Sequence, residues 1–389
     1  MDILIQGAGI AGCALALLLR RQGHNVTVVE RACSPRQGGQ AVDVRGAALK
    51  VIERMGLMAD VCACRTRFRG MSVCDDQGEE IERTTERTLS GGRFDSGDVE
   101  LFRDDLSKIL FDAAEGGVTY MFGDQIASLD QHDRWVDVRY EGGGRGSFDL
   151  VIGADGLHSG VRRRAFGPDD RYLRPLGIYA GIYSAPNRIG LHDWQLVFRT
   201  PSRGVIIYPT RSNEELRVAL YFAGEEIDPQ SDDAAQKNAL RRGLGAMGGV
   251  FATMLAELEG ANDLWAAPMA QVPMEGWSIG RTVLAGDAAH CPSPLTGQGT
   301  SLALVGAHLL AEEVGRSDGD VEAAGVRYEQ RMRPFITANL AIDIATGEGI
   351  DAAKNAIDID QTAGPRAANP SGQFNAAPPP SEEPGHSAY

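Results

Sequence analysis

Residues 2–31 change character three times. Asp2–Gln6 is a short apolar run, Cys13–Gln22 carries good helix formers, and Asn25–Val29 is a β-branched run suited to a buried parallel strand. Glycines separate the first run from the second, so the segment predicts strand, turn, helix, strand. Helical character returns at 44–58 and 100–116, where Leu106, Ile109, Leu110 and Ala113 share one face behind Arg103, Asp104 and Asp105. From 117 to 152 the pattern is one of short strands, at Val118–Met121, Trp135–Val138 and Leu150–Ile152. Strands dominate about 172–225, including Val205–Tyr208 and Leu216–Phe222, and helices return at 233–259. Thr282–Ala285 predicts one more buried strand, followed by a Gly/Pro-rich loop, a helix at 299–314 and a long helical run from 320 to about 358. Pro334 is expected to bend or break that run. Residues 361–389 hold six of the 18 prolines and almost no aliphatic side chains, which predicts a disordered tail.

A chain of 389 residues fits two domains, with room for interleaved segments. With 43% hydrophobic and 23% charged residues it can bury a core. The net charge of −15 argues against duplex nucleic acid or an anionic membrane surface as the main partner. Six cysteines make no disulfide scaffold, and Cys62, Cys64 and Cys74 lack the second pair or nearby His of a zinc site, so no metal is expected. Asp2 stands where a signal peptide needs a basic residue, and no stretch reaches 18 uninterrupted apolar positions. These features predict a cytoplasmic protein with no membrane span.

Three segments carry chemistry. Gly7-Ala-Gly9-Ile-Ala-Gly12 follows a strand and opens a helix. Gly7 permits the tight turn, Gly9 allows a pyrophosphate to approach the backbone, and Gly12 lets helix and strand pack closely. Glu30 ends the next strand 18 residues after Gly12, where an acid accepts hydrogen bonds from a ribose diol. The pattern favours FAD or NAD over NADP in this turn. Far down the chain, Gly286-Asp287 follows a strand, and Pro294, Gly297, Gln298 and Gly299 lead into a helix. An acid there suits ribityl hydroxyls, and a helix N-terminus suits the anionic edge of a reduced flavin. Between them, Gly153-Ala-Asp155-Gly156 ends a strand, with Arg162 seven positions after Asp155.

These three elements, in this order, resemble the FAD-dependent monooxygenases of the aromatic hydroxylase type, over about residues 1–360. Loop details look closest to the compact single-component members, including the tetracycline-inactivating monooxygenases. The resemblance implies an α/β fold: a discontinuous Rossmann-like FAD-binding domain (1–72, 97–170, 280–325), a mostly antiparallel-sheet substrate domain (73–96, 171–279) and a C-terminal bracing helix (326–360). It implies non-covalent FAD reduced by NADPH or NADH, and one oxygen atom of O2 passed through a flavin C4a-hydroperoxide to an aromatic or polyketide-like small molecule. No protein nucleophile is needed. Glu30, with Arg31 beside it, would hold the adenosine ribose, Arg103 the phosphate and ribityl region, and Asp287 the ribityl or pyrophosphate end. Asp43 would sit near the flavin and Arg36 near the incoming nicotinamide, flanking the Gly38-Gly39 turn, although the chain after the second strand is shorter than in those relatives. Asp155 and Arg162 would serve both FAD and NADPH. Arg36, Arg103 and Arg162 are the expected positive charges of the cofactor cleft.

His192, Gln195, Tyr208, Arg217 and Phe222 fall in the strand-rich stretch expected to wall the substrate pocket. His290 and His158 read as structural more readily than as acid or base. The quaternary state is open between monomer and homodimer. Other readings are a different flavin oxidoreductase, such as a double-bond reductase or a halogenase, and a flavoprotein that sequesters a planar ligand. Against the halogenase, the four tryptophans are scattered.

Overall fold

The computed structural model describes residues 1–35, 38–89, 92–224, 232–342, 353 and 356–360. Arg36 and the segment 361–389 therefore lie outside the described residues.

The β-branched runs at the start of the chain form the centre of a six-stranded sheet. Its order is Ser278–Ile279, Thr282–Leu284, Leu150–Gly153, Asp2–Gln6, Asn25–Glu30 and Val118–Phe122. All neighbours are parallel except the first pair, which is antiparallel. Ile3, Leu4 and Ile5 have no exposed surface, as expected for a strand covered on both faces. Helix Ile10–Arg21 packs against helices Gly299–Gly315 and Arg103–Glu115. Leu15, Leu19, Leu106, Leu110, Leu304 and Leu309 interdigitate there.

A seven-stranded sheet forms the other layer. Its order is Trp265–Gln271, Arg174–Pro186, Glu215–Ala223, Arg203–Pro209, Gln195–Arg199, Met71–Cys74 and Glu80–Thr84. Only the pairing of Gln195–Arg199 with Met71–Cys74 is parallel. Helices Asp233–Leu244 and Gly249–Glu257 cover one face, burying Leu240, Phe251 and Met254 against Val205, Leu216 and Leu220. Met71 and Ser72 belong to this sheet and Ser278–Ile279 to the other, one or two residues off the expected boundaries.

Three expectations change. The helix at 44–58 is a strand, Ala41–Val44, followed by helices Ala47–Arg54 and Met58–Ala63. The helix at 100–116 starts only at Arg103, because Val99–Phe102 pairs antiparallel with Ala41–Val44 to make a two-stranded ribbon. The last described helix runs Val321–Leu340, and Pro334 does not break it. Burial of Tyr328, Met332, Phe335 and Ile336 in the main core offsets the one lost backbone hydrogen bond. No helix among the described residues is long and apolar enough to cross a membrane.

Gly12, and not Gly9, sets how closely helix Ile10–Arg21 packs on the turn before it. At Gly12 a Cβ atom would lie 1.9 Å from the Gly7 carbonyl oxygen, whereas at Gly9 it would meet nothing within 4 Å. Gly9 also has extended backbone that any residue adopts. Gly12→Ala should therefore cost about 3 kcal/mol or more through backbone displacement. Gly9→Ala should leave the cofactor-free protein within about 1 kcal/mol of wild type. Urea melts of the two variants check the contrast.

Candidate functional site

The site begins where the central strands end. Gly7 has φ +107° and faces the Ala154 carbonyl, which a Cβ there would approach to 2.4 Å. The turn therefore lies against the end of Leu150–Gly153. Glu30 accepts hydrogen bonds from the Ala8 amide at 2.8 Å and the Ala32 amide at 2.9 Å, which fixes its carboxylate beside the glycine turn. Each oxygen keeps a lone pair for a further donor. Arg31 next to it is exposed.

The helix that opens after Gly9 has no side-chain cap, so its first amides have no partner in the helix. The open space over Gly9 and these amides together form a concave cradle for a diphosphate. Arg103, half-buried at the start of its helix, leans on the turn Gly38-Gly39 and donates to the Gly38 carbonyl at 3.4 Å. Asp104 accepts from the Gly38 amide at 3.2 Å, pinning the same turn.

Asp155 and Arg162 are turned inward. Asp155 accepts from Gln6 Nε2 at 2.6 Å, the Ser159 hydroxyl at 2.5 Å, and the amides of Gly160 and Val161 at 2.7 and 3.2 Å. It ties helix Gly160–Ala165 to the central strand. Arg162 has no exposed surface and donates to Ala288 O at 3.0 Å, and to Leu157 O and Asp169 Oδ1 at 2.6 Å each. The expectation that Arg162 supplies positive charge to the cleft is corrected: its three acceptors hold it behind the site, where it props the helix carrying Asp287.

Asp287 opens the short helix Asp287–His290 after Gly286, whose φ is +60°. Burial pushes its carboxyl up, and a hydrogen bond with the Cys291 thiol pulls it part of the way back. Asp287 Oδ1 comes within 3.9 Å of where a Gly299 Cβ would be, so acid and second glycine loop share one corner. That loop holds two unusual backbone conformations, Ser293 at φ +86° and Gly297 at φ +65°. The Ser293 hydroxyl accepts from the Leu295 amide at 3.3 Å. Thr296 donates to Ser293 O at 3.0 Å and accepts from the Gln298 amide at 3.3 Å. The Gln298 side chain is fully buried, and both Oε1 and Nε2 lack a protein partner. A buried carboxamide with donor and acceptor both unmatched is costly unless a ligand completes it. Flavin, whose ring edge alternates imide N–H and carbonyls, supplies both, and Gly299–Gly315 also starts without a side-chain cap. The residues present fit FAD.

Asp43 is buried on the ribbon and ion-paired with Arg45 at 2.7 Å; the Arg45 amide donates to Ser301 Oγ on the helix after the loop. Burial pushes the Asp43 carboxyl well up, opposed by the Arg45 guanidinium and helped by Glu100 and Asp98. Sequence reasoning missed Arg45 and Glu100. Arg45 directly follows the strand that bears Asp43, a placement hidden by expecting helix from residue 44.

Three of the five expected pocket residues share one face of the seven-stranded sheet. Tyr208 stands opposite Arg217, and Gln195 lies two residues from Val197, which pairs with Ile206 on that face. Tyr208 accepts the Ala41 amide at 3.1 Å and packs on Phe68 and Phe102. Gln195 Oε1 accepts the Leu89 amide at 3.0 Å. Arg217 donates to Ser184 Oγ at 2.5 Å and pairs with Glu215 at 3.2 Å. Trp265, opposite Ile182, which itself lies opposite Ala219, joins this face. Phe222 has the other parity and packs with Tyr179 and Gly243 under the covering helices, so it is core. His192 is exposed on a turn beside Asp193 and Asn213, away from the wall.

His290 is structural. Its Nε2 sits 3.1 Å from Tyr328 OH, its ring lies edge-on to Trp277, and burial drives its pKa from 6.5 to about 3. The native state holds it neutral, while the unfolded chain takes up a proton below about 6.5. Stability from this residue is therefore full above pH about 6.5 and falls by about 1.4 kcal/mol per unit on acidification, down to about pH 3. His290→Asn should flatten that slope in acid titrations followed by circular dichroism. Arg162→Ala, which takes the donor from the Ala288 and Leu157 carbonyls and leaves a cavity while Asp169 keeps Arg163, should cost about 2–4 kcal/mol in urea melts.

The FAD binding domain family model matches residues 1–337. An uncharacterized protein of Mycobacterium tuberculosis is 43% identical over 87% of this chain and 91% of its own length. A flavin-dependent monooxygenase from an unknown prokaryotic organism is 37% identical, over 89% of each chain. The crystal structure of the tetracycline destructase Tet(55) superimposes with a TM-score of 0.83 at 34% identity, over 92% of this chain and 98% of that one. Fold, glycine cradle and relatives agree, and the chain belongs to the FAD-dependent monooxygenases of the aromatic hydroxylase type.

Proposed function

We propose that this flavin monooxygenase uses NADPH or NADH to hydroxylate a planar, oxygen-rich aromatic or polyketide-like small molecule. The observation that carries the reading is the buried polar patch of Gln195, Tyr208 and Arg217 on the face of the seven-stranded sheet opposite the covering helices. That face looks away from the covering helices, and Tyr208 joins it to the ribbon that bears Asp43. The names of the relatives, a flavin-dependent monooxygenase and a tetracycline destructase, support the same substrate class.

Bound FAD, reduced by the nicotinamide, supplies the oxygen-activating chemistry. Glu30 and the Gly9 turn hold its adenosine and diphosphate, Asp287 and Arg103 its middle, and Gln298 its ring edge. Arg217, nearly buried and braced by Ser184, offers a fixed cation to an acidic enol or phenol of the substrate. Tyr208 is held by the Ala41 amide and acts as a rigid wall that excludes water. In this reading the FAD-binding unit is 1–72, 97–170 and 280–325, and the substrate unit is 73–96 and 171–279.

Phenolic and polyketide compounds should stimulate NAD(P)H oxidation coupled to oxygen uptake, with a product heavier by about 16 Da, one oxygen atom. Arg217→Ala should raise KM by about tenfold, equivalent to about 1.4 kcal/mol, with a smaller change in kcat. NAD(P)H oxidation without an oxygenated product from any member of the set rejects the reading.

A further inference from the structure

The ribbon places like charges opposite each other in a nearly dry position. Asp43 pairs with Glu100 and Val44 with Val99 across two antiparallel strands. Asp43 is 4% and Glu100 7% exposed. Directly opposed side chains on such a ladder have Cβ atoms about 4.5–5.5 Å apart, and like charges there repel. Asp98 adds a third carboxyl, accepting from the Gly46 amide at 3.3 Å. Facing Asp43 are Arg45 from its own strand end and Glu100 and Asp98 from the ribbon partner. Tyr208, from the seven-stranded sheet, feels Asp43, Glu100 and Arg217 together. Thr66 donates to Glu100 Oε2 at 2.8 Å. Arg45 engages Asp43 Oδ2, while Asp43 Oδ1 is buried without a partner. The Arg45 guanidinium lies 3.8 Å from where a Gly297 Cβ would sit, so the pair abuts the second glycine loop of the FAD site.

We propose that Asp43 and Glu100 hold one proton between them, and that the neutral Asp43 carboxyl is a positioning residue presenting a hydrogen-bond donor to the cofactor cleft. Two buried carboxyls on directly opposed ladder positions resist ionising together, and the second proton leaves only at strong cost. With that proton on Asp43 the cross-strand repulsion is removed, Oδ2 still accepts a hydrogen bond from the Arg45 guanidinium, and Oδ1 turns from an unmatched acceptor into a donor. The proposal depends on the FAD site alone and not on the substrate.

The test uses the FAD-loaded protein and its Asp43→Asn, Asp43→Ala and Glu100→Gln variants. At neutral pH, infrared difference spectra of wild type against Asp43→Asn and against Glu100→Gln should each lose the same protonated-carboxyl stretch. If Asp43→Asn loses only carboxylate bands, or Glu100→Gln leaves the protonated band in place, proton sharing is overturned. Wild-type thermal stability should fall relative to both Asp43→Asn and Glu100→Gln as pH rises above the ordinary carboxyl range, since there the unfolded chain's carboxyl ionises while the native one stays protonated. Equal pH slopes in all three proteins also overturn the proposal. FAD affinity separates positioning from packing: Asp43→Asn, which keeps a donor, should stay within about threefold of wild type, and Asp43→Ala should weaken it about tenfold. Equal weakening by Asn and Ala would show that the donor does not matter. Should a variant fail to fold, 13C-labelled aspartate and glutamate carboxyls in wild-type protein report the same protonation state through their shifts.

Discussion

The contact on which the molecule depends is the meeting of three backbone segments without side chains between them: Gly7 on the Ala154 carbonyl, and Gly12 on the Gly7 carbonyl. Each approach is shorter than any Cβ allows. It brings the ends of Asp2–Gln6 and Leu150–Gly153 together and docks helix Ile10–Arg21 on both. Gln6 extends the same junction with its side chain, donating to Asp155 and accepting from the Ile126 amide at 2.7 Å. Because Thr282–Leu284 adds in register to Leu150–Gly153, Asp287 emerges at the same edge as Glu30. Two carboxylates from strands more than two hundred residues apart in sequence thus flank one cradle.

The cradle answers how a chain of net charge −15 binds an anionic dinucleotide. Arg162 faces inward to carbonyls and Asp169, while Arg103 leans on the cleft and Arg45 abuts the second glycine loop. Backbone amides at two uncapped helix starts, after Gly9 and after Gln298, add to that attraction. Amide dipoles are fixed by the fold and carry no desolvation cost of a free cation, so an acidic protein can use them without changing its surface charge.

The parallel sheet was legible because its strands are short apolar runs, most of them closed by a glycine and Asn25–Glu30 by an acid, a pattern that survives burial on both faces. The three motifs gave Glu30, Asp287 and the Gly297–Gly299 loop their places, since local backbone conformation alone fixes them. The ribbon was not legible. Ala41–Val44 and Val99–Phe102 each have only four residues, too few to show a period, and helix-favouring neighbours follow both. Their strand character comes from pairing with each other across more than fifty residues, a tertiary contact that local propensity does not encode. Arg162 was misplaced for a related reason: its spacing from Asp155 names a helix position, but which face of that helix is buried depends on Ala288 and Asp169.

The substrate wall shows how much one step of strand parity decides. Arg217 and Phe222 lie on the same strand, five residues apart, so an odd spacing sends them to opposite faces. Composition groups them as plausible pocket residues; the sheet puts Phe222 in the helix-covered core and Arg217 on the opposite face. The even spacing of Ile206 and Tyr208 keeps both on the cleft face, and cross-strand pairing then puts Arg217 beside Tyr208. Tyr208 in turn donates no freedom to the pocket, because its hydroxyl is committed to the ribbon at Ala41. The ribbon therefore does two things at once. It joins the seven-stranded sheet to the six-stranded layer through Tyr208, and through Asp43 and Arg45 it abuts the second glycine loop.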